Sequence, residues 1–206
     1  LTEPAYGTLS ELQAKAVDEI IDSTQRVSDM VGELLDESRL AAGAVELENK
    51  PYTPALILKD VQKKLSVLTQ QKGLNLSSDL DPELPDQLHG DPKRINQMIT
   101  NLASNSIKFT KEGEVKIRFY LRSKNRWAME VSDTGPGIPK EAQKDIFEPF
   151  RQADGSISRK YGGTGLGLSI VKHLTNMMEG KIVVKSKVGE GSTFTIVLPL
   201  NTKAIT

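Results

Sequence analysis

Two asparagines and a lysine recur at helical spacing along one segment of the sequence, Asn101-Leu-Ala-Ser-Asn105-Ser-Ile-Lys108-Phe109. On a helix, positions 101, 105 and 108 share one face, so two amides and an ammonium group would project together. An amide oxygen is a hard, neutral ligand for Mg²⁺, whose other ligands are waters and phosphate oxygens, and a lysine can also reach a phosphate. The pattern therefore predicts a shared metal and phosphate environment, with a solvated polar face as the alternative.

A second segment, Asp133-Thr-Gly135-Pro-Gly137-Ile138, directly follows an apolar strand. A carboxylate that emerges from a sheet needs hydrogen-bond donors, and the exocyclic amine of adenine is a suitable one. Gly135 and Gly137 would allow the backbone to turn close to a flat ring. The alternative is a tight turn between a strand and a helix.

A third segment is rich in glycine and opens a predicted helix, Gly162-Gly163-Thr164-Gly165-Leu166-Gly167. Successive backbone N–H groups without a Cβ in the way, at the positive end of a helix, favour phosphate binding. The segment is not a Walker A loop, because no Gly-Lys-Ser/Thr ends it, and its glycine spacing does not fit the dinucleotide fingerprint. A different phosphate-binding architecture is therefore expected.

A fourth segment places two aromatic rings, Phe147 and Phe150, before a polar stretch that starts at Arg151. This arrangement is typical of an anchored lid over a site, with Arg151, Arg159 or Lys160 available to a terminal phosphate. Packing of the two rings in the core is the alternative, and both interpretations can hold together.

The order of these four segments resembles the N, G1, F and G2 boxes of sensor histidine kinases, across residues 54–200. The resemblance implies the Bergerat ATP-binding fold of the GHKL superfamily, with ATP and Mg²⁺ as ligands. It implies that Asn105 binds the metal, with Asn101 and Lys108 beside it, and that Asp133 reads adenine. The remaining nucleotide-binding residues that it implies are Gly135, Gly137, Ile138, Phe109, Arg151, Gly163, Thr164, Gly165, Leu166, Gly167 and Thr193.

Position 101 separates two kinds of relative with this fold. Gyrase-type ATPases place a glutamate one helical turn before the metal-binding asparagine, where it activates water as a general base. This sequence has Asn101 there, and a neutral amide cannot take the proton. We therefore expect phosphotransfer by a protein-histidine kinase. A serine/threonine kinase of the anti-sigma-factor type and a nucleotide-sensing scaffold without transfer activity are the alternatives.

The phosphoacceptor that the resemblance implies, a histidine in a His-Glu-x₃-Pro helix, is not in this sequence, because His89 and His173 have other surroundings. The sequence also lacks an initiator methionine, so we expect a segment of a longer protein that does not phosphorylate itself on histidine. The implied partner is the receiver domain of a response regulator.

Residues 8–43 predict one long helix, with Thr8 and Glu11 as a capping box and Gly43 as its end. A helix with a heptad seam needs a partner helix, so a missing companion or a second copy of the chain is expected, with packing on the following domain as the alternative. The resemblance implies the second helix of a dimerisation hairpin, and hence a homodimeric parent. The seam comprises Val17, Ile20, Thr24, Val27, Val31, Leu34 and Ser38.

The remaining periodicities predict an α+β two-layer sandwich with helices on one face of a mixed sheet. Helices are expected over 54–71, from Pro92 to about Thr110 with Asp91 as cap, and over 165–178. Strands are expected over 74–80, 115–121, 127–131, 181–187 and 193–198. We place the dimerisation helix at 1–45, a linker at 46–53, the catalytic domain at 54–200 and a tail at 201–206.

Composition removes several other classes of protein. The 27 basic and 27 acidic residues leave no net charge to attract nucleic acid or an anionic membrane, so neither is expected as a partner. The sequence has no cysteine and two histidines, which excludes disulfide scaffolds and thiol chemistry and disfavours a histidine-rich metal site. No apolar stretch is long enough to span a membrane. We expect this segment in the cytoplasm, whether or not its parent is membrane-anchored.

Overall fold

The computed structural model describes residues 7, 9–151 and 164–202. Four α-helices are present in this part of the chain: α1 (Glu11–Ala41), α2 (Pro54–Lys72), α3 (Pro92–Phe109) and α4 (Gly167–Met177). A short 3-10 helix spans Ala142–Lys144. The strands are β1 (Lys50–Tyr52), β2 (Asn75–Leu80), β3 (Leu88–Gly90), β4 (Glu114–Ser123), β5 (Arg126–Asp133), β6 (Lys181–Lys187) and β7 (Gly191–Pro199).

Five of these strands form one mixed sheet in the order β2-β4-β5-β7-β6. Strand β2 pairs with β4 in parallel, and the other three pairings are antiparallel. On β4, the residues Val115, Ile117 and Phe119 are fully buried, whereas Lys116 and Arg118 between them are half-buried. This alternation gives the sheet one apolar face, which α2, α3 and α4 cover, and one polar face. The predicted α+β sandwich is confirmed.

Local signals explain where the helices of the sandwich begin and end. The Asp91 carboxylate accepts a hydrogen bond from the Arg94 N–H, and Pro92 occupies the first turn of α3. Helix α2 starts at Pro54 and ends at Gly73, whose φ of 67° is left-handed. The apolar side of α3 is buried completely at Ile95, Met98, Ile99 and Leu102. The opposite side of α3 is therefore available for polar residues of a binding site.

The start of α1 differs from the prediction. Ser10 is the N-cap, and Gln13 closes a capping box with it, because each side chain bonds the backbone N–H of the other residue. Thr8, which the sequence suggested as the cap, lies outside the described residues.

A two-stranded sheet was not predicted. Strand β1 lies inside the predicted linker 46–53 and pairs antiparallel with β3, so that Pro51 faces His89. The Tyr52 side chain is buried in the core, and burial raises the pKa of its phenol well above the usual range. The second half of the predicted linker therefore packs with the sandwich.

Candidate functional site

Helix α3 presents two amides to the start of α4. The Asn101 Nδ2 donates a hydrogen bond to the Gly167 carbonyl oxygen over 3.3 Å. A Cβ placed on Gly167 would lie 3.6 Å from the Asn105 Nδ2 and 3.8 Å from the Asn101 Nδ2. Both predicted amides therefore border the N-terminus of α4, where N–H groups without helical partners favour an anion.

A partly buried carboxylate, Asp133, lies at the end of β5 and is held by neutral donors. Its Oδ1 accepts hydrogen bonds from the backbone N–H of Gly135, at 3.0 Å, and of Ser192, at 3.2 Å. Its Oδ2 accepts from the Ser106 hydroxyl at 2.9 Å. Burial raises the pKa of the Asp133 carboxyl, and the three donors oppose that effect.

The glycines of the second segment are required by close packing, against a side chain at Gly135 and against backbone at Gly137. A Cβ on Gly135 would lie 2.9 Å from the Asp133 Oδ1, and one on Gly137 would lie 2.1 Å from the Lys187 carbonyl oxygen. Gly137 also has a left-handed φ of 72°. The next residue, Ile138, donates its N–H to the Ser186 hydroxyl, which ties this turn to the end of β6.

The described end of the glycine-rich segment contacts both α1 and the phenylalanine segment. The Thr164 hydroxyl donates to the Glu33 carboxylate of α1 and accepts from the Leu166 N–H. Gly165 has a φ of 73°, and its carbonyl accepts from the Phe150 N–H. Leu166 is buried. Gly163 and residues 152–162, which include most of the predicted lid, lie outside the described residues.

The two phenylalanines of the fourth segment have different environments. Phe147 packs edge to face on Phe194, with 6.4 Å between ring centroids, whereas Phe150 is 65% exposed. Arg151 follows it and is exposed. Phe147 thus fits the core interpretation, and Phe150 stands at the edge of the candidate site.

Lys108 lies near the same loop. Its ammonium group stands 5.0 Å from the centroid of the Phe109 ring. Burial lowers the pKa of Lys108, and the negative charge of Glu33 partly offsets this shift. Since Glu33 also contacts Thr164, the lysine and the end of the glycine-rich segment share one electrostatic environment.

Thr193 is the predicted residue that the structure separates from the others. It lines a groove on the polar face of the sheet together with Thr195 and Val197. Asp133 is paired with Ser192 in the register of β5 and β7, and the backbone N–H of Ser192 is the group on β7 that reaches this carboxylate. The two residues that sequence reasoning missed at this carboxylate are Ser192 and Ser106.

Helix α1 docks on the sandwich through acidic residues. The Asp36 carboxylate accepts from the Gln97 amide at 2.8 Å, and Glu37 accepts from the Ser169 hydroxyl at 3.1 Å. Glu37 also lies 3.3 Å from the His173 Nδ1. At 3.6 residues per turn, this face is roughly opposite the heptad seam. The seam stays exposed at Ile20, Val27, Val31 and Leu34.

Comparison with known proteins identifies the fold. A profile of the family described as histidine kinase-, DNA gyrase B-, and HSP90-like ATPase matches residues 90–202. This range contains the paired amides, the Asp133 carboxylate and the glycine-rich segment. The chain belongs to this ATPase family.

Relatives within the family are histidine kinases. The chain is 38% identical to the circadian input-output histidine kinase CikA of Synechococcus elongatus, over 96% of this chain and 26% of CikA. It is 40% identical to the signal transduction histidine-protein kinase BarA of Escherichia coli, over 90% of this chain and 21% of BarA. The chain thus spans about a quarter of the length of these curated relatives.

A solved structure extends the likeness to the whole described fold. The crystal structure of full-length ShkA in complex with AMPPNP matches with a TM-score of 0.83 and 31% identity. The match covers 97% of this chain and 41% of the ShkA chain. The resemblance to the ATP-binding catalytic domain of sensor histidine kinases is therefore confirmed. No helix in the described ranges is both long and apolar enough to cross a bilayer.

Proposed function

We propose that this domain binds Mg·ATP and transfers its γ-phosphoryl group to a histidine outside the chain, for relay to an aspartate of a response regulator. The observation that supports phosphoryl transfer over hydrolysis is the environment of Asn101. Its amide donates to the Gly167 carbonyl, so this side chain joins α3 to α4. A neutral donor at this position does not activate water, which favours transfer of the phosphoryl group over hydrolysis.

Asp133 and the glycine-rich segment supply opposite ends of the nucleotide site in this proposal. The carboxylate takes the exocyclic amine of adenine, because its other lone pairs are occupied by neutral donors. The N-terminus of α4 and Lys108 face the phosphates. Gly135, Gly137, Ile138 and Phe109 would line the base, and Thr164, Gly165, Leu166 and Gly167 would line the phosphates, with Arg151 at the edge.

Asn105 is the residue that we assign to Mg²⁺. Within the described residues, no cluster of three histidine, aspartate or glutamate side chains could enclose a metal. A neutral amide beside a phosphate site fits Mg²⁺, which takes few protein ligands and relies on phosphate oxygens. When bound, Mg²⁺ would neutralise charge on the phosphates during transfer.

The acceptor histidine belongs to another segment or chain in this proposal. His89 lies in β3, where its N–H donates to the Asn201 carbonyl at 2.7 Å, and His173 lies in α4 beside Glu37. Neither residue is on a heptad-patterned helix. The exposed seam of α1 offers a surface for a homodimeric bundle in the parent protein, with a receiver domain as the downstream partner.

The test is radiolabelled Mg·ATP with the 206-residue chain, alone and mixed with a histidine-bearing dimerisation domain. We expect acid-labile, base-stable phosphate on the added domain and none on the chain alone. Asn105→Ala should abolish the label, while Asn125→Ala, in the β4–β5 turn, should retain it. Acid-stable label on an added protein would instead support a serine/threonine kinase, and ATP binding without any transfer would support a nucleotide-sensing scaffold.

Removing the Glu33 charge should strengthen ATP binding. This carboxylate contacts Thr164 and attracts Lys108, so it competes with phosphate for the same positive environment. Glu33→Gln is expected to raise ATP affinity severalfold, corresponding to about 1 kcal/mol for a partly exposed charge. Calorimetric titration with Mg·ATP measures this effect, with Glu19→Gln on the exposed part of α1 as the matched control. Equal affinities in both variants would show that Glu33 does not compete.

A further inference from the structure

Ser106 is a buried hydroxyl on the apolar side of α3. It is 3% exposed and lies beside Ala103 and Ile107, which are also buried. Its Oγ donates to the Asp133 Oδ2 at 2.9 Å. A hydroxyl in such a position is costly unless it makes a specific hydrogen bond, and Asp133 is the partner that the structure provides.

The bonds around Asp133 leave little freedom for a ligand. Oδ1 accepts from two backbone N–H groups, those of Gly135 and Ser192, which fills its two lone pairs. Oδ2 accepts from Ser106 and keeps one lone pair. Hydrogen bonds to both oxygens therefore fix the orientation of the Asp133 carboxylate. The one lone pair of Oδ2 that stays available points in a fixed direction.

The same bonds favour the ionised carboxylate. Burial raises the pKa of Asp133, while the donors at Gly135, Ser106 and Ser192 lower it. The elements packed around this carboxylate also carry the charged side chains of Lys108, Glu114 and Lys187. These charges are not among the causes of the shift, so the ionisation of Asp133 depends on burial and on neutral donors.

We propose that Ser106 is a positioning residue that determines purine specificity. Its hydroxyl keeps Asp133 as an oriented, acceptor-only carboxylate, which takes an N–H from a 6-amino purine and repels the carbonyl oxygen of a 6-oxo purine. Without that donor, a protonated Asp133 becomes accessible and can donate to a 6-oxo group. The inference rests on the proposed role of Asp133 in adenine recognition.

The test compares Ser106→Ala with Ser104→Ala in the full 206-residue chain. Ser104 lies on the same helix, and its hydroxyl bonds to the Asn101 carbonyl, so this variant controls for a serine-to-alanine change in α3. ATP and GTP affinities are measured by calorimetry as a function of pH. Ser106→Ala should lose about tenfold in ATP affinity and narrow the preference for ATP over GTP. The pH below which ATP binding fails should rise, because a group that lowers the pKa of Asp133 has been removed.

Ser106→Thr retains the hydroxyl, so this variant should show the wild-type preference for ATP over GTP and the wild-type pH profile of ATP binding. A Ser106→Ala variant that matches Ser104→Ala in affinity, preference and pH profile would overturn the inference. So would a loss of ATP affinity with unchanged purine preference and pH profile, because a purely structural role would give that result. Asp133→Asn tests the proposed adenine recognition separately. If this variant binds ATP like the wild type, adenine recognition by Asp133 fails. If it loses ATP binding while Ser106→Ala matches Ser104→Ala, only the role of Ser106 fails.

Discussion

Asp133→Asn is expected to lower ATP affinity about a hundredfold, which is about 2.7 kcal/mol. The Asp133 Oδ1 accepts from two backbone N–H groups, which can only donate, and its Oδ2 accepts from the Ser106 hydroxyl. An asparagine must turn its NH₂ group toward one of these donor sets, and it also removes the charge that attracts the adenine amine. Calorimetric titration with Mg·ATP measures the affinity.

Asp79→Asn provides the matched control. Asp79 lies on β2 at the sheet edge and forms a half-exposed ion pair with Arg118 at 3.0 Å. Loss of such a pair is expected to change stability by less than about 1 kcal/mol and to leave ATP affinity unchanged. Far-ultraviolet circular dichroism confirms that each variant is folded. Wild-type affinity in a folded Asp133→Asn variant would mean that adenine is recognised elsewhere.

Most elements of the sandwich could be predicted because their signals are local. Asp91 and Pro92 mark the start of α3, and Gly73 marks the end of α2. The alternation on β4 directly records one buried and one polar face, and the apolar residues of β5 continue the buried face. Each of these signals involves residues within a few positions of one another, which a sequence pattern can report.

The small β1–β3 sheet could not be predicted, because it has no local sequence signal. Each strand has three residues, too few to show an alternating pattern, and Pro51 within β1 and Pro54 after it favour a linker. What forms the sheet is a pairing between residues 50–52 and 88–90. Such contacts between distant parts of the chain have no local signature.

The predicted site residues also divide into those with a local sequence signal and those that depend on contacts between distant parts of the chain. Helical spacing correctly placed Asn101 and Asn105 together, because one helix sets their positions. It did not reveal that the backbone N–H of Ser192 bonds Asp133, because this contact depends on the register of β7 against β5. Ser106 did offer a signal: it is a hydroxyl in the buried register of α3, and a buried hydroxyl requires a partner.

Gly137 shows how a motif can be recognised for an incomplete reason. Its flexibility suggested close approach of the backbone to a flat ring. In the structure, the space for its Cβ is taken by the Lys187 carbonyl of β6, and the turn is further tied to β6 through Ile138 and Ser186. The glycine is therefore required by the protein itself, before any ligand binds.

Gly137→Ala is accordingly expected to reduce the free energy of unfolding by about 3 kcal/mol or more. A methyl group would lie 2.1 Å from the Lys187 carbonyl oxygen, and either the turn or β6 must move. Because the turn begins at Asp133, ATP affinity should fall as well. Urea denaturation followed by circular dichroism measures the stability, and calorimetry measures the affinity.

Gly189→Ala separates the steric part of this effect from the conformational part. Gly189 has a φ of 82°, close to the 72° of Gly137, but a Cβ there meets nothing within 4 Å. Its substitution should cost about 1 kcal/mol, the usual penalty for alanine in a left-handed conformation. The difference between the two variants is then the cost of the clash with β6. Equal losses would mean that the turn relaxes without strain, and that Gly137 serves the approach of the ligand after all.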